Sequence, residues 1–492
     1  MKTKRILAAA LCALLAAGWL AGCSTETGGG ESRLEDTTIN GEEAKDLKYI
    51  RPGQNADNEN DPVIRAIRAY ENLYGVKVDV IAADYDTWTT KVLAASTSGS
   101  PIDVIYGSVS EYPLFAMKGY TQPIEEYVDL SADYLNASAA EAFFSFQGKV
   151  YCAAGSTVAP LVMYYNKDML EAEGMDDPID LYNAGEWTFD NFRKMCKALT
   201  TDTDGDGNTD RWGLCCWYPW AFLGANHTAL CTITEEGKYQ LNLDDPAVVE
   251  TLEFVQDAYY TSKWRGLDGD NIYTSFYQGR NAFLNEYSWS ETSNIIPAKE
   301  SGQFDFEYGV APMPAGPNNT EGYNVAHASG FGIATGSANP YHAGKLIEMI
   351  QEYSKADAQE KNQKVPAEHL ELYEQLAQKP FNDSYYDSAI KDGNDLFVLI
   401  TGGNNIQTSI AAITPGYQEL LDEANEASEY RRLPGRPRGR GAGAAVLFRR
   451  PFFRPGTPQY ETSEGFPDET DNPKRKPLHP ADPRKLVLHL LV

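Results

Sequence analysis

The sequence predicts an α/β protein, and three stretches near its start carry that expectation. "NDPVIRAIRAYENLYG" has Asp61 as a helix cap, Pro62 in the first turn and Gly75 as a stop. "VKVDVIA" then alternates as a strand, and the short apolar run "IDVIYG" reads as a buried one. Between the two strands, "DYDTWTTKVLAAST" reads as a second helix. Strand, helix, strand in succession is the rhythm of a sheet covered by helices.

The rhythm continues through the middle of the chain. "TFDNFRKMCKALT" reads as a helix, "RWGLCCWY" as a strand and "PAVVETLEFVQDAYYTS" as a helix. No internal repeat is visible. A length of 492 residues leaves room for two or three domains. Hydrophobic residues at 42% support real cores, and charged residues at 23% are an ordinary globular share. The 30 tyrosines and 8 tryptophans suit a polar surface that holds something by stacking, although many will be core. A net charge of −28 argues against nucleic acid as a partner, because its binders carry a basic face.

The first residues set the compartment. "MKTKRILAAALCALLAAGWLAGC" places Lys2, Lys4 and Arg5 before an apolar stretch, so residues 1–22 read as a secretory signal peptide. The stretch ends in Leu20-Ala21-Gly22-Cys23, which resembles a bacterial lipobox. That resemblance implies a lipid on Cys23 and a membrane anchor; an ordinary signal with an incidental cysteine is the alternative. No other stretch approaches the ~20 apolar residues of a bilayer span. Residues 23–45 are polar and glycine-bearing and read as a flexible tether, with folded sequence from residue 46. Of seven cysteines, Cys12 leaves with the signal and Cys23 takes lipid. Cys152, Cys196, Cys215, Cys216 and Cys231 remain, an odd set with no zinc spacing, and buried thiols are expected.

The end of the chain differs from the rest. The last 62 residues, 431–492, hold 10 arginines where the preceding 430 hold 9, and they hold 10 of the 27 prolines. Prolines this dense forbid regular helix or central strand. One reading is a disordered basic arm that binds an anionic surface. The other, which we favour, is text shifted out of the native reading frame, because the composition breaks within a few residues in mid-helix ("QELLDEANEASEY"). On either reading no part in ligand binding is expected.

"TDTDGDGNTDRWG", Thr201–Gly213, has the spacing of a calcium loop. In EF-hand order Asp202, Asp204 and Asp206 take positions 1, 3 and 5, Gly207 the turn, Asn208 position 7 and Asp210 position 9. Position 12, where an EF-hand has its bidentate glutamate, is Gly213, and a strand follows instead of a second helix. The lever of a calcium sensor is therefore missing. A structural Ca2+ bound in the ~0.1–1 mM range is expected, against a solvated Asp–Gly turn as the alternative.

Signatures of catalysis are scarce. None of the six histidines makes H-E-x-x-H, and no G-x-S-x-G occurs. In "GFGIATG" the third glycine, Gly336, is one position late for a dinucleotide loop. Carboxylate pairs are plentiful in so acidic a chain, which leaves a glycoside hydrolase open.

Eight phrases recur in a recognisable order: "AYENLYGVKVDV", "SPIDVIYG", "MKGYTQPIEEYV", "LVMYYNKDMLEAEGMDDP", "EWTFDNFRKMCKALT", "FYQGRNAFLNEYSW", "YGVAPMPAGP" and "ASGFGIATGSANPYHAGKLIEMI". Over roughly residues 47–428 the chain thereby resembles the extracellular solute-binding lipoproteins of bacterial ABC importers, family 1, the sugar-binding, maltose-binding-protein-like group. It departs from them at Cys152-Ala153-Ala154-Gly155, where a proline is usual, and in a longer, more polar segment at about 355–395.

The resemblance implies a two-lobed, type II periplasmic-binding-protein-like clamshell, each lobe a mixed sheet flanked by helices, with three hinge crossings. The crossings are expected near Ala153–Pro160, near Met313–Asn318 and after Tyr353. The N-terminal lobe would hold residues 46–153 and 315–355, and the C-terminal lobe 158–312 and 356–430. The implied protein is a monomer on the extracytoplasmic face of the membrane. It would bind a carbohydrate, an oligosaccharide above all, and hand it to permease subunits without catalysis. A noncatalytic cell-surface glycan-capture protein and a surface glycoside hydrolase are the alternatives, and a peptide, polyol or phosphodiester ligand would keep the fold.

Candidate ligand residues follow from the resemblance and from strand ends. Trp289 matches the family's stacking tryptophan. Trp217, Tyr218 and Trp220 follow the strand "RWGLCC", beyond whose C-terminal end ligands of open α/β sheets gather. Gly107, Ser108 and Glu111 correspond to the family's hydrogen-bonding loop, with Glu111 either a ligand acceptor or a helix cap. Trp88 lies on a helix against that sheet, in cleft or core. Ser329 and Gly330 resemble the turn where backbone approaches the ligand.

Overall fold

The computed structural model describes residues 34–53, 57–84, 87–98, 102–266, 271–381 and 394–432, with side chains of 97–98, 394 and 427–432 left out. The signal peptide, Cys23 and the tail from 433 lie outside the described residues. All described residues belong to one compact unit.

The first helix forms as its sequence dictates. It spans Pro62–Tyr74, the Asp61 side chain accepts from Val63 N at 2.9 Å, and Gly75 ends it at φ 69°. Ile64, Ile67 and Tyr70 turn inward and join the first core with Leu47, Tyr49, Val104, Phe331 and Ile347. The long helix Pro340–Asn362 packs against the same face.

Two sheets organise the chain. In the first, Leu47–Pro52 lies between Val78–Ala83 and Val104–Ser108, parallel to both. Ser329–Ala334 adds antiparallel to Val104–Ser108, and Thr121–Gln122 and Ala153–Ala154 pair with it in turn. In the second, Ala159–Asn166 is buried at every position and pairs antiparallel with Asn281–Tyr287 and Tyr308–Pro312. Trp212–Cys216 joins parallel to Asn281–Tyr287. This is the α/β class expected, with two mixed sheets flanked by helices.

The sheets are joined by a two-stranded ribbon. Ala153 and Ala154 pair with Phe331 and Gly330 in the first sheet, while Ala159 and Pro160 pair with His327 and Ala326 in the second. The first crossing therefore falls where it was expected. The second does not. Residues 313–323 stay on the second lobe, where Ala315 N donates to Trp187 O (3.0 Å) and Gly316 N to Ala225 O (2.9 Å). Asn324–His327 is a strand of the second sheet, so the chain changes sheets at Ala328 and not near Met313–Asn318. The third connection runs through Pro340–Asn362 to Ala367–Leu376, which packs on Ala159–Asn166 and Tyr308–Pro312.

Two further departures concern the ends. Residues 38–43, expected within the tether, form a hairpin of Thr38–Ile39 with Glu42–Glu43. Glu42 holds it in place: its carboxylate accepts from His342 N and its carbonyl meets His342 Nε2, each at 3.0 Å. The last helix, Ile406–Arg432, is not confined to one lobe. It packs on Leu114–Lys118 of the first and on Tyr239–Leu241 of the second, where Asn425 exchanges two hydrogen bonds with the Tyr239 backbone (2.8 and 2.9 Å). Cys152, Cys196, Cys215, Cys216 and Cys231 are buried thiols outside any disulfide. Among the described residues no helix is long and apolar enough to cross a membrane.

Gly213, which stands where an EF-hand would have glutamate, is explained by packing. Helix Phe189–Leu199, capped by Thr188, presses Phe192, Cys196 and Leu199 onto the second sheet. A Cβ on Gly213 would lie 2.4 Å from Cys196 Cα and 2.5 Å from its carbonyl oxygen. Gly213→Ala is therefore expected to lower unfolding free energy by about 2–3 kcal/mol, as overpacking against a backbone does. Denaturant unfolding measures this, and an unchanged midpoint contradicts it.

Candidate ligand-binding cleft

The second lobe supplies an aromatic wall. Strand Asn281–Tyr287 carries the chain out of the sheet, and Trp289 follows it with 42% of its surface exposed. Its ring stacks on Tyr287, with centroids 4.4 Å apart and planes 21° apart. Tyr287 meets Tyr218 at 5.4 Å, and Tyr218 meets Trp220 edge-on at 5.4 Å. Tyr218 and Trp220 come from the segment after Trp212–Cys216, the strand parallel to Asn281–Tyr287. Trp289, Tyr218 and Trp220 are thus brought together. Trp217 diverges and sets its ring edge-on to Tyr273 at 6.0 Å.

Behind the wall sits a carboxyl that the sequence reading missed. Glu286 is 2% exposed and accepts from Tyr273 OH and from Tyr287 N, both at 2.8 Å. Burial raises its pKa, against the pull of hydrogen bonds from Tyr287, Tyr273 and Tyr218. The same donors fix Tyr218 and Tyr287, so Glu286 holds the wall in register. The available signal was an acid inside the otherwise buried strand "NAFLNEY". A second buried acid, Glu291, takes Tyr308 OH at 2.8 Å and His369 Nδ1 at 2.6 Å, and so ties helix Ala367–Leu376 to this lobe.

The first lobe offers a tighter loop than expected. Glu111 Oε2 accepts from Ser108 N at 2.8 Å and Ser108 Oγ at 2.7 Å, closing its own turn. Gly107 makes room for Tyr112, whose ring would lie 2.4 Å from a Cβ there. Gly330 makes room for the ribbon, where a Cβ would meet Ala153 O at 2.1 Å. Both glycines are explained by this chain's own packing. Ser329 is half-buried, and its carbonyl accepts from Gly155 N at 3.1 Å. Trp88 is a core residue, 3% exposed and edge-on to Tyr106 and Phe115, and presents no face to a ligand.

The ribbon brings the two sets together. Val109 N, next to Ser108, donates to Ala328 O at 3.1 Å. His327 precedes Ala328 and lies edge-on to Trp289 (5.2 Å, 88°) and against Tyr287 (5.8 Å, 71°). Burial pushes its pKa down to about 4, so the ring is neutral at ordinary pH.

The aspartate loop lies apart, between helix Phe189–Leu199 and strand Trp212–Cys216. Oxygens of Asp202, Asp204 and Asp210 converge to within 4.8 Å of one another. The loop is ordered by its own amides: Asp202 accepts from Gly205 N (2.6 Å) and Gly207 N (2.7 Å), and Asp210 from Thr203 N (2.7 Å). Those two amides hold the Asp202 pKa below the usual value. Asp206 does not join the group; it accepts from Asn208 N at 2.8 Å and Asn208 Nδ2 at 3.0 Å.

Known structures share this architecture. A substrate-binding protein of an ABC transporter from Listeria monocytogenes, solved with cycloalternan, matches at TM-score 0.56 and 17% identity, covering 79% of this chain and 98% of that one. The maltose/maltodextrin-binding domain from Bdellovibrio bacteriovorus, bound to maltotriose, gives 0.54 and 18%, covering 78% and 99%. A solute-binding protein from Thermotoga lettingae, bound to alpha-D-tagatose, gives 0.57 and 18%, covering 77% and 100%. At these identities the likeness concerns the fold. No curated protein sequence matches the chain. The profile of the bacterial extracellular solute-binding proteins, however, matches residues 56–354, more than half of the chain, and the protein therefore belongs to that family.

Proposed function

We propose that the protein captures an oligosaccharide between its lobes and delivers it to the permease of an ABC importer. The observation that carries this reading is the exposed Trp289, stacked on Tyr287 and continued by Tyr218 and Trp220, beside the ribbon that joins the lobes. A sugar offers flat C–H faces to such rings and hydroxyls to polar groups at their edge. Ser108 and Glu111 approach from the other lobe through Val109 and Ala328. Sugar-bound proteins of the same architecture support a carbohydrate over a peptide. Ligand closes the lobes only by preferring the closed state, and the ribbon is where they hinge. The protein acts without turnover and as a monomer. A lipid on Cys23 holds it at the extracytoplasmic face of the membrane.

The aspartate loop binds a structural calcium on this reading, through Asp202, Asp204 and Asp210. Asp206 joins when its carboxylate turns from the Asn208 N–H groups to the ion, and Asn208 offers its carbonyl oxygen. The bound ion offsets repulsion among these carboxylates and pins the loop that leads into Trp212–Cys216.

Three measurements test these assignments. A thermal-shift screen of mono- and oligosaccharides is expected to give a strong hit, since ligand at 100 times its Kd adds about 2.7 kcal/mol of stability. Trp289→Ala is expected to weaken the best hit about tenfold or more while leaving the free protein's melting temperature nearly unchanged. Undiminished affinity in that variant would remove Trp289 from the site. Separately, melting at millimolar calcium is expected to occur at higher temperature than melting in excess chelator. Equal melting temperatures contradict the calcium site.

A further inference from the structure

His327 differs from the two histidines that the fold satisfies. His342 has both ring nitrogens engaged, with Tyr70 OH at 2.8 Å and Glu42 O at 3.0 Å. His369 bonds to Glu291. His327 lies against the rings of Tyr287 and Trp289, and among the described residues neither of its nitrogens has a hydrogen-bond partner. His227 likewise has none, but it stacks flat on Tyr323 at 4.2 Å, on the loop side of strand Asn324–His327 and apart from the wall.

The position of His327 is specific. It ends the strand that pairs with Ala159, one residue before the chain passes into the other sheet. One side of its ring meets Trp289 and Tyr287. Its neighbour Ala328 receives Val109 N, beside Ser108. The ring is half-buried, so part of it still faces solvent. Its nitrogens are not among the buried polar atoms left without a partner, so they reach solvent, where a ligand hydroxyl can take the place of water.

We propose that His327 is a ligand-contacting residue, whose ring meets hydroxyls of a neutral sugar lying on Trp289. This deepens the reading above and rests on it. A neutral imidazole keeps one N–H donor and one lone-pair acceptor. A sugar hydroxyl both donates and accepts, so it can satisfy either nitrogen. A cationic ring would offer donors alone, and the low pKa keeps the acceptor in place above about pH 4. The ligand class so selected is a neutral polyol ring, stacked on one face and hydrogen-bonded from below at the floor between the lobes.

The test uses the full chain, with maltotriose, mannotriose, tagatose and ribitol as probes in calorimetric titration. For the best-bound probe, H327F is expected to lower affinity about tenfold or more, the equivalent of one hydrogen-bonded group lost. H327Q, which keeps a donor and an acceptor, is expected to lose less than H327F. Wild-type affinity in a folded H327F overturns the assignment of His327 and leaves the functional reading standing. Absence of binding by the wild-type protein to all four probes overturns both. Should H327F fail to fold, the wild-type ring itself decides. Its side-chain 15N resonances are expected to move on saturation with the probe, and unmoved resonances overturn the proposal.

Discussion

The constraint on which the rest depends is the paired ribbon between the sheets. Two antiparallel segments, Ala153–Pro160 and Ala326–Phe331, must cross together, and each must enter a different sheet at either end. The pairing is interrupted in the middle. Between the paired positions, residues 155–158 of one segment face only residues 328–329 of the other. Such an excess bends and twists a ribbon and leaves amides out of the ladder. Gly155 keeps one bond, to Ser329 O. The neighbouring helix braces the same spot, because Gln351 Nε2 donates to Ala153 O at 2.9 Å. Stiffness on both sides and a short break between them is the arrangement a hinge needs.

The second lobe builds its wall around buried acids. Glu286 and Glu291 lie five residues apart in chain order, and neither is exposed beyond 2%. Tyrosine hydroxyls and a histidine satisfy them. That choice explains part of the tyrosine excess: several of these rings fill core volume and also donate to a carboxyl. The wall is therefore rigid before any ligand arrives, which lowers the ordering cost of binding. Of the wall's rings Trp289 is the most exposed, at 42%.

Local chemistry was legible from sequence, and tertiary placement was not. Asp61, Pro62 and Gly75 bounded the first helix because caps and turns act over a few residues. Tyr218 and Trp220 were expected at a strand end and Trp289 from its match to the family's stacking tryptophan, and the structure sets their rings in one row with Tyr287. The hairpin at residues 38–43 escaped because its anchor, Glu42 on His342, spans 300 positions of sequence. The second crossing, expected near Met313–Asn318 from the resemblance, was misplaced because only the pairing partners show the change of sheet at Ala328. Trp88 looked the same in cleft or core until Tyr106 and Phe115 closed around it. His327 carried no signal, since one histidine in a strand is silent about which rings it will meet.

The central claim is that ligand is held between lobes that move about the ribbon. Nitroxide labels at Lys91 and Lys194, exposed positions on the first and second lobes, report it most directly. The distance distribution between them should shorten and narrow when the oligosaccharide found by screening saturates the protein. Bound sugar with an unchanged distribution would contradict the account.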